Sequence, residues 1–311
     1  MSSLQNKTQA IYNFSEKCFE SQDMLQIDWN SIEKLTDILS KRSNIINTQT
    51  NGEKVPLARQ IGLILLYGAI HYCFTHPISK REYVFDLAGK KIFRSSGFVT
   101  ALKESDISWE SFEEVSHFSI QKWFQILQTQ DELDLFQLRE RYNRIIRFSK
   151  FLVSKNIVTA NDFIKTYKSA NAAIELMVES GLFADVFLKR AQVTAYLISA
   201  TLQNYEHEGY PDVQLLTAMP DYRLPQLLYN SGVVILSTEL KKKLVNETPI
   251  TKASPEENAL RSSVIIVVRE IAKKLNKPES VVDSLMWGLV QKYKDEGALP
   301  IPSMLVETNC Y

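Results

Sequence analysis

The chain has 311 residues, long enough to bury a substantial core as one large domain or two smaller ones. Its 36 lysines and arginines equal its 36 aspartates and glutamates, so no net field exists to hold a polyanion such as tRNA or DNA by counterion release. Three cysteines, Cys18, Cys73 and Cys310, are odd in number and far apart; they offer neither a disulfide framework nor a CxxC metal spacing, and a reducing compartment is expected.

In chain order, the first residues, MSSLQNKTQAIYNFSEK, contain no apolar stretch of signal-peptide length, and a cytoplasmic location is expected. After Asp28, the residues Ile32, Leu35, Ile38 and Leu39 share a helical face. The longest apolar run, Ile61 to Phe74, is shorter than the ~20 residues a membrane span needs, so it predicts a buried core helix and no membrane association. Tyr83 to Phe93, with Gly89 at a turn, reads as short extended structure. Leu135, Leu138, Tyr142, Ile145, Phe148 and Leu152 predict a further helix; Arg139, Arg141, Arg144 and Arg147 fall between them and read as its solvated face.

The last third is the most clearly punctuated. Gly232 to Leu236 predicts a short extended piece. Ser254, Pro255 and Glu257 fit a capping box with proline at the first helical position, and the helix runs on through Val264 to Leu275. Asn276, Lys277 and Pro278 break it and open a second helix, on which Val281, Val282, Leu285, Leu289 and Tyr293 share a face before Gly297. The expected fold is mainly α: a single helical domain over residues 1–311 with a few short strands, a subdivision near residue 130 being left open.

Nucleotide and metal motifs are absent: there is no G-x-G-x-x-G, P-loop, H-E-x-x-H or G-x-S-x-G, and His71, His76, His117 and His207 show no ligand spacing. No metal and no cofactor are therefore expected. The polar candidates lie in two motifs, FLKRAQV from Phe187 to Val193 and PDYRLPQLL from Pro220 to Leu228. Phe183, Asp185, Lys189 and Arg190 fall at a helix start after Gly181, a place that attracts anions, although on spacing alone an ordinary i,i+4 ion pair between Asp185 and Lys189 is the better reading. Asp221, between Pro220 and Tyr222-Arg223, suits helix capping when read alone. Asp283 sits on an apolar helix one turn before Trp287, so it is either a satisfied anchor or a ligand to something polar.

Taken together, these residues resemble the queuosine salvage family, the queuosine 5'-phosphate N-glycosylase/hydrolases. The resemblance rests on FAD at Phe183 to Asp185, FLKRAQV, DYRLPQLLYNSGVV, SPEENALR, DSLMW at Asp283 to Trp287 and T-x-x-Y at Thr308 to Tyr311, with AIHYCF at Ala69 to Phe74 as a looser upstream match. The sequence departs from the family pattern in having no histidine before His71, in Thr75 where a tryptophan is usual, and in the tail PSMLVETNCY.

The resemblance implies a fold like that of helix-hairpin-helix DNA glycosylases and metal-free hydrolysis of the N-glycosidic bond of queuosine 5'-monophosphate, releasing queuine for salvage. It further implies a small-molecule substrate with no stable nucleic-acid partner. Asp221 would then face the developing oxocarbenium ion, and Lys189 would contact the phosphate or Asp221, with Arg223 a second contact to the same anion. Asp185 or Asp283 would pair with a donor on the base, Phe183 and Trp287 would stack on it, and Tyr222 would line the same site. The rival reading is a catalytically silent helical protein that binds queuine or a nucleotide.

Overall fold

The computed structural model describes residues 3–42, 55–74, 84–87, 89–127 and 137–308. Thr75, His76, Tyr83, Leu135, Cys310, Tyr311 and the subdivision considered near residue 130 lie outside the described residues. The helices in chain order are α1 Ser3–Glu20, α2 Trp29–Ser40, α3 Leu57–Gly68, α4 Arg94–Glu104, α5 Phe112–Val115, α6 Ile120–Ile126, α7 Leu138–Ser154, α8 Ala160–Thr166, α9 Ala170–Glu179, α10 Lys189–Asn204, α11 Arg223–Asn230, α12 Thr238–Val245, α13 Pro255–Leu275 and α14 Glu279–Asp295. The strands are β1 Leu25–Ile27, β2 Val84–Leu87, β3 Lys90–Phe93 and β4 Val234–Leu236. The fold is mainly α, as the apolar periodicity predicts. Among the described residues no helix is long and apolar enough to cross a membrane.

The chain divides into two compact units. The first comprises Met1–Asn47, Asp185–Gln192 and Asp212–Thr308. Its centre is α13, which packs against α1, α2, α11, α14 and β1. That position explains why α13 is buried almost all round, through Leu260, Val264, Ile265, Val267, Val268 and Ile271. Its start is capped as expected by Ser254, whose hydroxyl accepts the Glu257 N–H at 3.3 Å; Glu257, however, reaches back to the N–H of Ala253 instead of that of Ser254. Asn276 closes the helix in the left-handed conformation, φ 49°, and α14 returns alongside, so the predicted hairpin is present.

At the edge of this unit, β1 and β4 pair antiparallel, Gln26 opposite Ile235. Asp28 caps α2 by accepting from the Asn30 N–H at 3.1 Å. Ile32, Leu35 and Leu39 are buried, whereas Ile38 is exposed. Six residues from Ile32, Ile38 lies on the far side of a 3.6-residue helix, and Thr36 takes the fourth inward position with its hydroxyl bonded to the Ile32 carbonyl at 2.8 Å.

The second unit comprises Thr48–Ala184 and Val193–Pro211. Its predicted hairpin is β2–β3, with Val84 opposite Phe93 and Gly89 at φ 81° in the turn. The apolar run from Ile61 is helical only as far as Gly68, where a Cβ would collide with the side chain of Thr194. Beyond it the chain turns, and the carbonyls of Ala69, Ile70, Tyr72 and Cys73 find donors on α7. Arg141 donates to the carbonyls of Ile70, Tyr72 and Cys73, and Arg144 donates to those of Ala69 and Leu182.

The reading of the α7 arginines as a solvated face therefore holds for Arg139 and Arg147, which are exposed, and fails for Arg141 and Arg144, which are 0% and 6% exposed. Carbonyls past the end of α3 require donors, and a guanidinium supplies several from one rigid group. The Arg141 guanidinium also stacks 4.2 Å from the centre of the Tyr72 ring.

Candidate functional site

In the first unit, Asp185 to Gln192 and the segment leading into α11 bring together most of the polar residues singled out in the sequence. Gly181, at φ 70°, lets the chain leave α9, and Leu188, at φ 51°, makes the last sharp bend before α10. Asp185 accepts the Lys189 N–H at 3.0 Å, so the first turn of α10 is anchored by a carboxylate. Asp185 does not form the i,i+4 pair with Lys189 that its spacing permits. Its two oxygens instead grip Arg261 on α13, at 2.9 Å and 2.7 Å, in a bidentate pair about 4% exposed.

The residues before α11 are held one peptide group at a time. Gln192 accepts from the Thr217 N–H at 2.9 Å, Glu279 from the Ala218 N–H at 3.3 Å and Asp283 from the Met219 N–H at 2.7 Å, while Arg261 Nε donates to the Pro220 carbonyl at 3.1 Å. Asp221 follows directly. One of its oxygens accepts the N–H groups of Arg223, at 2.7 Å, and Leu224, at 3.4 Å, which is the capping role its sequence context suggests. The other oxygen faces Lys189 Nζ at 3.9 Å, both side chains being largely buried. Capping and ion pairing are thus served by different oxygens of one carboxylate.

Burial dominates the electrostatics. It pushes the Lys189 ammonium below the ordinary lysine range, opposed by Asp221 and Asp283, while Arg190 and Arg261 act in the same direction as burial. Burial raises Asp283 to about 7, opposed by the Met219 N–H and reinforced by Asp221. Glu279, one turn earlier on α14, is raised by the same cause, with Tyr12 donating to it at 2.5 Å. The arrangement is a buried ammonium facing one carboxylate, with a second carboxylate able to hold a proton near neutrality.

A sequence description of the family "Queuosine salvage protein" matches residues 51–308. The chain belongs to this family. Relatives from several organisms, three of which follow, carry the name queuosine 5'-phosphate N-glycosylase/hydrolase. The one from Schizosaccharomyces pombe is 28% identical over 36% of this chain and 34% of its own length, and the one from Dictyostelium discoideum is 24% identical over 72% and 71%. The one from Nematostella vectensis is 38% identical over 30% of this chain and 28% of its own. The chain thus spans about a third of the S. pombe relative and 71% of the D. discoideum relative.

The site residues expected from the sequence are placed differently from one another. Asp221, Lys189 and Asp283 belong to one electrostatic cluster. Tyr222 and Arg223 follow Asp221 in the chain, but Arg223 lies against the Tyr222 ring, 5.0 Å from its centre, and donates to Gln226 at 3.0 Å. Trp287 is 48% exposed on α14, one turn beyond Asp283. Asp185 is spent on Arg261 and the Lys189 N–H. Phe183 belongs to the other unit, fully buried with its ring 5.2 Å from that of Phe148, edge to face, which is core packing.

Sequence reasoning missed Arg261, Gln192 and Glu279. Arg261 had a signal: it is a charged residue amid Leu260, Val264, Ile265 and Val268 on an apolar helix, and it closes the SPEENALR segment. Glu279 stands four residues before Asp283, on the same side of α14.

Proposed function

We propose that this chain hydrolyses the N-glycosidic bond of queuosine 5'-monophosphate, releasing queuine, and that Asp221 and Lys189 carry the chemistry. One observation bears most of the weight: a carboxylate oxygen of Asp221 faces a buried ammonium at 3.9 Å, inside the segments whose residues match the salvage family. The names borne by the relatives agree with this reading.

In this reading the C1'–N bond breaks with its electron pair leaving on the base, and positive charge develops on the ribose carbon and ring oxygen. Asp221 faces that charge, where low polarity makes its stabilisation large. A water oxygen then bonds to C1' and one of the water's protons ends on the base, so the products are queuine and ribose 5-phosphate. A 7-deazapurine has no nitrogen at position 7 to protonate before departure, so charge stabilisation and positioning must supply more of the acceleration.

Lys189 pairs with Asp221 and faces the anionic end of the substrate. Asp283 and the exposed Trp287 ring are the candidates for the base, and Arg223, turning from Gln226, for the phosphate. The substrate is a mononucleotide and not a nucleic acid, and the protein acts in the cytoplasm. Purified protein incubated with queuosine 5'-monophosphate should release free queuine, resolved by chromatography; absence of release would contradict the reading.

A further inference from the structure

Two side chains outside the proposed chemistry connect the backbones of both reacting residues. Asp185 accepts the N–H of Lys189 at 3.0 Å, and the same carboxylate holds Arg261, which donates to the carbonyl of Pro220, the residue before Asp221, at 3.1 Å. Arg261 is 2% exposed and is gripped a second time from its own helix by Glu257 at 3.4 Å, while its guanidinium lies 4.3 Å from the centre of the Phe187 ring. The chain therefore runs from Lys189 through Asp185, Arg261 and Pro220 to Asp221 without leaving the interior.

We propose that Asp185 and Arg261 are positioning residues that set the spacing between Lys189 and Asp221 by holding the main chain on both sides of the pair. This rests on the hydrolase reading above. Three observations favour it over simple core stabilisation. The bidentate pair fixes the plane of the guanidinium, leaving Nε aimed at one carbonyl. Gln192, Glu279 and Asp283 hold the neighbouring peptide groups on their N–H side, so Arg261 is the partner holding the Pro220 carbonyl. Asp221 is already capping α11 with one oxygen, so a shift of its main chain swings the other oxygen relative to Lys189.

The test compares the Arg261→Gln, Arg261→Lys and Asp185→Asn variants with wild type, and with Lys243→Ala, which removes an exposed ion pair to Glu256, as control. Steady-state hydrolysis of queuosine 5'-monophosphate should show kcat lowered about 10- to 100-fold in Arg261→Gln and Asp185→Asn, with KM changed less than about threefold. Arg261→Lys should be intermediate. Amide hydrogen exchange should rise about tenfold or more in the peptide spanning residues 217–224 and stay unchanged in β1 and β4. Should Arg261→Gln unfold, methylguanidinium added to Arg261→Ala should restore part of kcat. Unchanged kcat in a folded Arg261→Gln, or a fall in activity matched by the unfolded fraction alone, overturns the proposal and leaves the hydrolase reading intact. A wild type that releases no queuine, with the exchange behaving as stated, sinks the hydrolase reading while the main-chain clamp stands.

Discussion

Both units bury arginine, and they do so against different partners. In the second unit, Arg141 and Arg144 meet main-chain carbonyls where α3 ends, and the carboxylate that Arg144 also meets, Glu140 at 3.6 Å, is part-exposed on its own helix. In the first, Arg261 and Lys189 meet carboxylates. A carbonyl can neither titrate nor face a cationic reaction centre as a full negative charge, so these carbonyl contacts serve the fold. The carboxylate cluster carries net charge that depends on pH, and one of its members points toward an ammonium across 3.9 Å. A buried cation is thus no sign of a site by itself; the chemistry of what surrounds it decides.

That contrast makes separate predictions for the two regions. Arg141→Met removes the guanidinium donors to the carbonyls of Ile70, Tyr72 and Cys73, of which Ile70 keeps the Tyr72 N–H at 3.0 Å, and should lower unfolding stability by about 3 kcal/mol or more. Chemical denaturation measures this, and the surviving folded protein should keep wild-type kcat. Lys189→Met should act the other way, with kcat falling about 100-fold while the fold persists, because the ion pair with Asp221 is lost together with the cation that faces the substrate. A Lys189→Met enzyme of normal kcat would move the ammonium out of the chemistry.

The smallest effect concerns pH. Asp283, facing Asp221, Glu279 and Lys189, is raised by burial to about 7 from an ordinary 3.8. The native state therefore holds its proton more tightly than the unfolded chain, so its stabilising contribution is full below the ordinary value and is lost as pH rises through about 7. Asp283→Asn should flatten that decline in unfolding free energy between the two values. Parallel stability curves for wild type and variant would show that Asp283 does not titrate there.

The sequence made some of this legible and hid the rest for identifiable reasons. Ser254-Pro255, Asn276 and Gly297 punctuate the α13–α14 hairpin through local chain chemistry, so its limits could be read directly. Asp221 as a cap was equally local. Arg141 and Arg144 could have been placed inside, since each stands four residues before a core residue, Ile145 or Phe148, on the same face of α7. The clamp is different. Arg261 meets Asp185 across 76 positions and Pro220 across 41, and no periodicity reports contacts at that range. The same holds for Phe183, whose place in a core depends on Phe148 from another helix.

The central claim is that Asp221 acts on the ribose carbon of a bound nucleotide. Single-turnover release of queuine from queuosine 5'-monophosphate by wild type and Asp221→Asn, at saturating enzyme, tests it most directly. A loss of about 1000-fold or more in the rate, with nucleotide binding and folding retained, is the predicted result. Release at a wild-type rate by Asp221→Asn would contradict the account.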